Sequence, residues 1–338
     1  MCMYSATNGI ANDFHLTHYG TRAIGKVGLI IVEATGVVPN GRITPYCLGL
    51  WSDQHIAPLK KITDFIKSQG CVPGIQIGHS GRKGSTNHLW AGSITLNESQ
   101  GGYPLCGPSP IPFTPDGIIP HELTIPEIQD IANKFEEASA RAVKAGFEAI
   151  DIHAAHGYLI QEFLSPITNK RTDMYGGSLE NRQRMLLEIA PKVRKVLGND
   201  KIMMVRMSCV DWIEGGWTIE ETLDTTKKLK QIGVDVIDCS SGGATADYKP
   251  VTGKGFQVPF AERVKKETNI LTSSVGMINN PEHANSIIEK NQSDIVAIGR
   301  ELLKTPFWVY DAAEYFGYKM NWIPQYVFGT KIANPYKE

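Results

Sequence analysis

Seven short runs rich in β-branched and other apolar residues punctuate this chain. They are VGLIIVEA (27–34), CVPGIQIGH (71–79), FEAIDIHAAH (147–156), KIMMVRMS (201–208), VDVIDCSSG (234–242), ILTSSVG (270–276) and DIVAIGR (294–300). Each is followed by a longer segment in which apolar residues return at three- and four-residue steps, such as HIAPLKKITDFIKSQG and EIQDIANKFEEASARAVKAGF, the spacing of an amphipathic helix. Several of these segments begin at a capping residue, Ser178 or Thr218, and end near a glycine, Gly70, Gly146, Gly198 or Gly233. Strands that are apolar almost throughout belong to parallel sheets covered on both faces. Strand and helix in alternation imply βα units with right-handed crossovers.

A (β/α)8 TIM barrel needs eight such units, and this sequence shows seven. The opening MCMYSATNG reads as the loop that follows a strand, with no strand before it. We therefore expect a barrel whose first strand is not in this sequence, with a complete seven-unit sheet as the alternative. The expected organisation is a single domain over 1–338. One long connection at about 80–124, rich in Gly and Pro (GGYPLCGPSPIPFTPDG), interrupts the rhythm. Connections of that length in a compact domain commonly wall or cover a site.

Charge and composition narrow the function. Lys plus Arg is 34 against 35 Asp plus Glu, a net charge of −1, and no basic run suggests nucleic acid or an anionic membrane. No apolar stretch approaches the roughly 20 residues that span a bilayer, and no charged-then-apolar leader opens the chain. The six cysteines (Cys2, Cys47, Cys71, Cys106, Cys209, Cys239) are scattered without a CxxC or zinc-like spacing, which points to a reducing cytoplasm.

In a parallel barrel the chemistry sits at the C-terminal ends of the strands, and the polar residues cluster there. Gln76 and His79 end one run, His153 and His156 the next, Arg206 and Ser208 the one after, and Ser240 and Ser241 precede Gly242 and Gly243. The last two runs finish in Val275-Gly276-Met277 and Gly299-Arg300. Glycine turns bring backbone N–H groups close to an anion, and a guanidinium forks onto its oxygens, so this pair of turns suits a phosphate-bearing ligand. His153 and His156, with His79, also form a candidate metal set for a barrel hydrolase, although no carboxylate-rich partners accompany them.

The segments MCMYS, GLIIVEATGVVPNGRI, GIQIGHSGRK, IDIHAAHGYLIQEFLSPITNKRTDMYGGSLENR and VAIGRELLKTPF closely resemble the Old Yellow Enzyme family of flavin oxidoreductases, in its YqjM-like, thermophilic-like NADPH dehydrogenase branch. The likeness runs over essentially the whole chain. It implies a barrel holding FMN non-covalently, NADPH as reductant and ene-reductase activity on activated alkenes such as enones and nitroalkenes. It places Met1 and Cys2 along the flavin, with Cys2 tuning its potential. Ala34 and Gln76 fall beside the isoalloxazine, Arg206 near flavin N1, and Gly276, Gly299 and Arg300 at the phosphate. His153 and His156 grip the substrate oxygen, Tyr158 is the proton donor and Tyr4 a pocket tyrosine. No metal is implied.

The chemistry is coherent. A cation near N1 favours reduced flavin, and two imidazole N–H groups stabilise the negative charge that grows on the acceptor oxygen. In a strand, positions three apart face opposite sides, so the two rings meet only if the chain curls at the strand end, where Gly157 suits the change. The resemblance also implies a homodimer or homotetramer. Relatives place an Arg after a Gln-Tyr pair to reach a neighbour's site. Here Gln325-Tyr326 is followed by Val327-Phe328, with Lys331 the nearest cation. The remaining alternative is a flavin-binding protein with impaired catalysis.

Overall fold

In the computed structural model, residues 1–331 are described. Seven strands form one all-parallel sheet in chain order. They are β1 (Leu29–Gly36), β2 (Val72–Gly78), β3 (Ala149–Ala154), β4 (Ile202–Ser208), β5 (Val236–Ser240), β6 (Leu271–Ser274) and β7 (Ile295–Val296). The two edge strands, β1 and β7, do not pair with each other. The sheet nevertheless curls strongly, because side chains from all seven strands line one cavity. Every residue of β3 and β5 is buried, as strands covered on both faces must be.

The helices wrap the outside. The first three are α1 (Asp13–Ile24), α2 (Ile56–Ser68) and α3 (Ile125–Lys144). Then come the short α4 (Leu159–Leu164), α5 (Leu179–Leu197), α6 (Ile219–Ile232), α7 (Val258–Thr268) and α8 (Pro281–Glu289), followed by α9 (Arg300–Lys304) and α10 (Trp308–Tyr315). Capping boxes start α3 (Thr124 with Glu127) and α6 (Thr218 with Glu221), satisfying backbone N–H groups that have no partner within the helix. Gly233 ends α6 with a left-handed φ of 98°, a conformation that costs glycine little. Along α3, Ile128, Ile131, Phe135, Ala138 and Ala142 repeat at helical spacing and are all buried.

The 80–124 connection contains short 3-10 turns and a two-residue parallel pairing of Cys106–Gly107 with His121–Glu122. It lies over the C-terminal ends of the strands. The Arg82 guanidinium fixes it there, donating to Ile111 O (3.0 Å) and Pro112 O (3.1 Å) within the connection and to Ala244 O (2.6 Å) in the loop after β5. The chain's opening segment lies against the loop after β1. Ala6 N donates to Tyr46 O at 2.9 Å and Gly49 N to Gly9 O at 3.0 Å.

Phe135 is fully buried between α3 and the sheet, in an interior packed as densely as an organic crystal. Phe135→Ala should lower unfolding stability by about 3–5 kcal/mol. Urea unfolding should show a lower midpoint with an unchanged slope.

Candidate active site

The curled sheet encloses a cavity of about 930 Å3, within the range of small-molecule and cofactor sites. At its centre four polar side chains meet. Gln76 Nε2 donates to Asp151 Oδ2 at 2.7 Å, and Arg206 Nε lies 3.3 Å from Asp238 Oδ2 in an ion pair. Their strands set them side by side, since Gln76 is in register with Asp151 across β2–β3 and Arg206 with Asp238 across β4–β5. Burial, and then the charge of Asp238, push the Asp151 carboxyl up to about 7, against the pull of Gln76 and Arg206. Asp151 Oδ1, Asp238 Oδ1 and Arg206 Nε are buried without a hydrogen-bond partner in the protein. Buried polar atoms are rarely left so, and here they face the cavity.

The histidine pair is made by backbone. β3 ends at Ala154, and the chain then turns through left-handed conformations at His156 (φ 62°) and Gly157 (φ 74°). A Cβ on Gly157 would stand 1.9 Å from Gly243 O, so only glycine fits. The turn carries the second ring around to the first, leaving the His153 and His156 centroids 5.2 Å apart and nearly perpendicular. Tyr158 adds its ring 5.0 Å from His153. His156 is anchored by its N–H donating to Ser208 Oγ (2.9 Å) and by Nε2 against Ser240 Oγ (2.6 Å). His153 Nδ1 is buried with no protein partner. Burial, reinforced by Arg206, holds both imidazoles well below their usual pKa, so they are neutral at ordinary pH.

His79 does not join them. Its Nδ1 accepts from Gly81 N at 3.0 Å and its Nε2 faces Cys106 Sγ at 3.8 Å. Among the described residues no group of three or more His, Cys, Asp or Glu is placed to hold a metal ion, so the hydrolase alternative loses its ligand set. The residue that sequence reasoning missed is Lys83. Its Nζ donates to His156 O (2.6 Å) and Gly243 O (3.0 Å) and stands 5.2 Å over the Tyr158 ring, so it braces the turn that carries the pair. Burial lowers its ammonium to about 8. The only sequence signal was its place just past a strand end, in HSGRK.

The other expected residues distribute around the same space. Met1, Gly276, Gly299 and Arg300 line the large cavity. Ala34 lines a narrow cleft shared with His79, His153 and Tyr158. Tyr4, held at φ 52°, packs edge-on against Trp90 with centroids 5.5 Å apart. Cys2 is half-buried in the opening segment. At the far end of the cavity, a Cβ on Gly276 would meet Phe256 at 3.1 Å and one on Gly299 would meet Met1 Sδ at 3.1 Å, so bare backbone forms that wall, beside the exposed Arg300. The Lys331 side chain lies outside the described residues.

These residues fit FMN. Beside Gln76, the residues Asp151, Asp238 and Arg206 offer unsatisfied polar atoms to a hydrogen-bonding ring edge, and the glycine-lined end with Arg300 suits a phosphate. Fold and site together define a barrel enzyme built around a flavin nucleotide. Residues 1–316 match the model of the NADH:flavin oxidoreductase / NADH oxidase family. The chain is 42% identical to the NADPH dehydrogenase of Geobacillus thermodenitrificans over 98% of this chain and 93% of that one. It is 44% identical to the NADPH dehydrogenase of Bacillus subtilis, over 93% of this chain and 88% of that one. Among solved structures, a 2-naphthoyl-CoA reductase superposes with a TM-score of 0.82 at 27% identity. The match takes in 92% of this chain but only 49% of that longer one. Morphinone reductase superposes with a TM-score of 0.75 at 25% identity, over 96% and 87% of the two chains. The chain belongs to the NADH:flavin oxidoreductase / NADH oxidase family, the Old Yellow Enzyme family, and is an FMN-dependent oxidoreductase.

The raised Asp151 carboxyl has a consequence for stability. The folded protein keeps a proton there up to about pH 7, whereas an unfolded Asp loses it near 3.9. Stability from this group therefore falls as pH rises from about 4 to about 7. Asp151→Asn should gain stability relative to the parent across that window and hold a constant advantage above it, as urea midpoints taken from pH 5 to pH 9 will show.

Proposed function

We propose that this enzyme is an ene-reductase, oxidising NADPH and reducing the C=C bond of activated alkenes such as enones and nitroalkenes. The observation that carries the reading is the neutral His153–His156 pair set at right angles beside Tyr158. FMN, when bound, would supply two-electron redox chemistry between NADPH and the alkene. The protein's part is to hold and polarise the acceptor. The hydrogen bond between His156 Nε2 and Ser240 Oγ holds that ring in place, and His153 Nδ1 is without a partner in the protein. Two N–H donors then meet the carbonyl or nitro oxygen as its negative charge grows, in a pocket where burial strengthens each bond. Neutral rings suit this role because their N–H bonds stabilise the charge without giving up a proton.

Tyr158 supplies the proton that the α-carbon needs. Burial raises its phenol well above the usual value, so it stays protonated and available as an acid. Met1 and Cys2, Ala34, Gln76, Arg206, Gly276, Gly299 and Arg300 would hold the flavin. Arg206, between Asp238 and the cavity, would place positive charge against the reduced ring. The relatives named NADPH dehydrogenase support NADPH as the electron source, and the neighbours named as reductases support net reduction. No helix among the described residues is long and apolar enough to cross a membrane, and six free thiols suit a cytoplasmic location. Exposed Tyr315, Phe316 and Tyr318 near the end of the described chain support assembly into a homodimer or homotetramer.

The first test is a visible spectrum of the purified protein, followed by NADPH under nitrogen. A yellow protein that bleaches, then regains colour on adding 2-cyclohexenone, is expected. A yellow protein that NADPH does not bleach would be a flavin binder with impaired catalysis, and a colourless zinc protein would restore the hydrolase reading. His153→Ala with His156→Ala should weaken a phenolic inhibitor by about 100-fold or more, the loss of two hydrogen bonds to a charged oxygen, while FMN stays bound. Unchanged affinity would refute the pair's role. Tyr158→Phe should slow reoxidation by the enone by about 10²- to 10⁴-fold and leave reduction by NADPH untouched, as stopped-flow traces of each half-reaction will show.

A further inference from the structure

The 80–124 connection begins with a hairpin, paired at Thr86 and Thr95, whose apolar tip stands in the open. Leu89, Trp90 and Ile94 are 68%, 71% and 66% exposed. Large apolar side chains gathered this closely at the surface mark a contact site. The hairpin itself is well laced. Asn87 N donates to Ile94 O at 2.8 Å and Leu96 N to Ser85 O at 2.6 Å, and the chain reverses through left-handed conformations at Gly92 (φ 86°) and Ser93 (φ 52°). A run of four rings holds the tip. Tyr46 stacks on His88 with centroids 5.3 Å apart, and His88 stacks on Trp90 at 4.3 Å. Tyr4 meets Trp90 edge-on at 5.5 Å. The bond from Ala6 N to Tyr46 O closes the circuit between the opening segment and the loop after β1. Trp90 is thus backed on one face and one edge, while most of its surface stays bare.

The hairpin is joined to the candidate active site at its base. It starts just after Lys83, whose ammonium stands over the Tyr158 ring. Thr86 N and Oγ1 donate to Ile43 O at 3.1 Å and 3.2 Å, and Ile43 lines the cleft shared with His153 and Tyr158. The border of that cleft and the hairpin are therefore one laced unit, with Trp90 at its outer edge. Resting on the ene-reductase reading, we propose that Trp90 is a specificity residue of the acceptor site. Its open face stacks on an aryl group that the acceptor carries beyond its C=C bond, so aryl-substituted activated alkenes are favoured over small ones. An aromatic occupant suits this tip because aryl rings gain from stacked and edge-to-face contact beyond burial itself. A ring already fixed by its neighbours also loses little freedom when the ligand arrives. Docking of a second protein is a poorer fit, since three side chains fall well short of the roughly 800 Å2 that each partner of a stable interface buries.

The test titrates the FMN-loaded protein as purified with phenol, 4-phenylphenol and 4-(benzyloxy)phenol, following the flavin's visible absorption without turnover. All three carry the oxygen that the histidine pair would hold, and the last two add a second ring at two different reaches. At least one two-ring ligand should bind about 10-fold or more tightly than phenol. Trp90→Ala should erase most of that gain and Trp90→Phe should keep it, with phenol itself bound within about twofold of the parent by both variants. In turnover with NADPH, Trp90→Ala should lower kcat/KM about 10-fold for trans-β-nitrostyrene and little for 2-cyclohexenone. No two-ring advantage in the parent, or an equal one in Trp90→Ala, would overturn the proposal. So would a changed oligomeric mass in Trp90→Ala, which would make the tip a contact between copies. Phenol that leaves the flavin spectrum untouched would remove the acceptor site and the proposal with it. Trp90-dependent binding in a protein that reduces no enone would keep the aryl subsite and refute the ene-reductase reading, so the two failures are distinguishable.

Discussion

Gln76, Asp151, Arg206 and Asp238 sit in the interior of a sheet whose other face is packed with Ile, Val, Met and Phe. Removing such groups from water costs several kcal/mol each unless they find partners. The structure answers part of that cost in pairs, Gln76 with Asp151 and Arg206 with Asp238, and leaves the remaining atoms directed at a cavity. This one quartet makes the middle of the barrel a place for a polar, hydrogen-bonding ligand. An entirely apolar interior would close on itself with side chains, as barrel cores do.

The substrate side follows the opposite electrostatic logic. His153 and His156 are buried near Arg206, so both stay neutral, and their donor strength is held in reserve for charge that develops on a ligand. Geometry of this kind is stored in the backbone. A non-glycine residue at φ 62° carries strain of about 1 kcal/mol or more, and His156 is kept there by its own bonds to Ser208 and Ser240 and by Lys83 bracing its carbonyl. Lys83 itself comes from the loop that Arg82 anchors over the barrel mouth. The long connection thus helps to build the site as well as cover it.

Much of this was legible in the sequence. Continuous apolar runs mark doubly covered strands, and all seven runs became strands of one parallel sheet. The last of them, 294–300, shrinks to Ile295–Val296. Beyond it the chain runs on to Gly299 and the start of α9, leaving an edge strand with partners on one side only. The curl at the end of β3 was readable from two histidines three apart followed by glycine, because strand geometry alone would have separated them. His79 was misjudged as a companion of the pair. It too ends a strand, but its ring turns toward Gly81 and Cys106, a choice made by side-chain packing that spacing does not encode. Lys83 was invisible for the same reason: it matters through a contact with His156 across more than 70 residues of chain. Contacts of the same range join Ser240 and Gly243, noted at their strand end, to His156 and Gly157.

Periodicity, capping residues and glycine positions by themselves determined the parallel βα architecture, the end of the sheet that carries chemistry and the residue types gathered there, since these depend on local backbone preference and on burying apolar faces. Tertiary structure alone decided which polar groups meet and which imidazole nitrogen is left open. Those outcomes rest on the curl of the sheet and on how loops distant in sequence pack over its mouth.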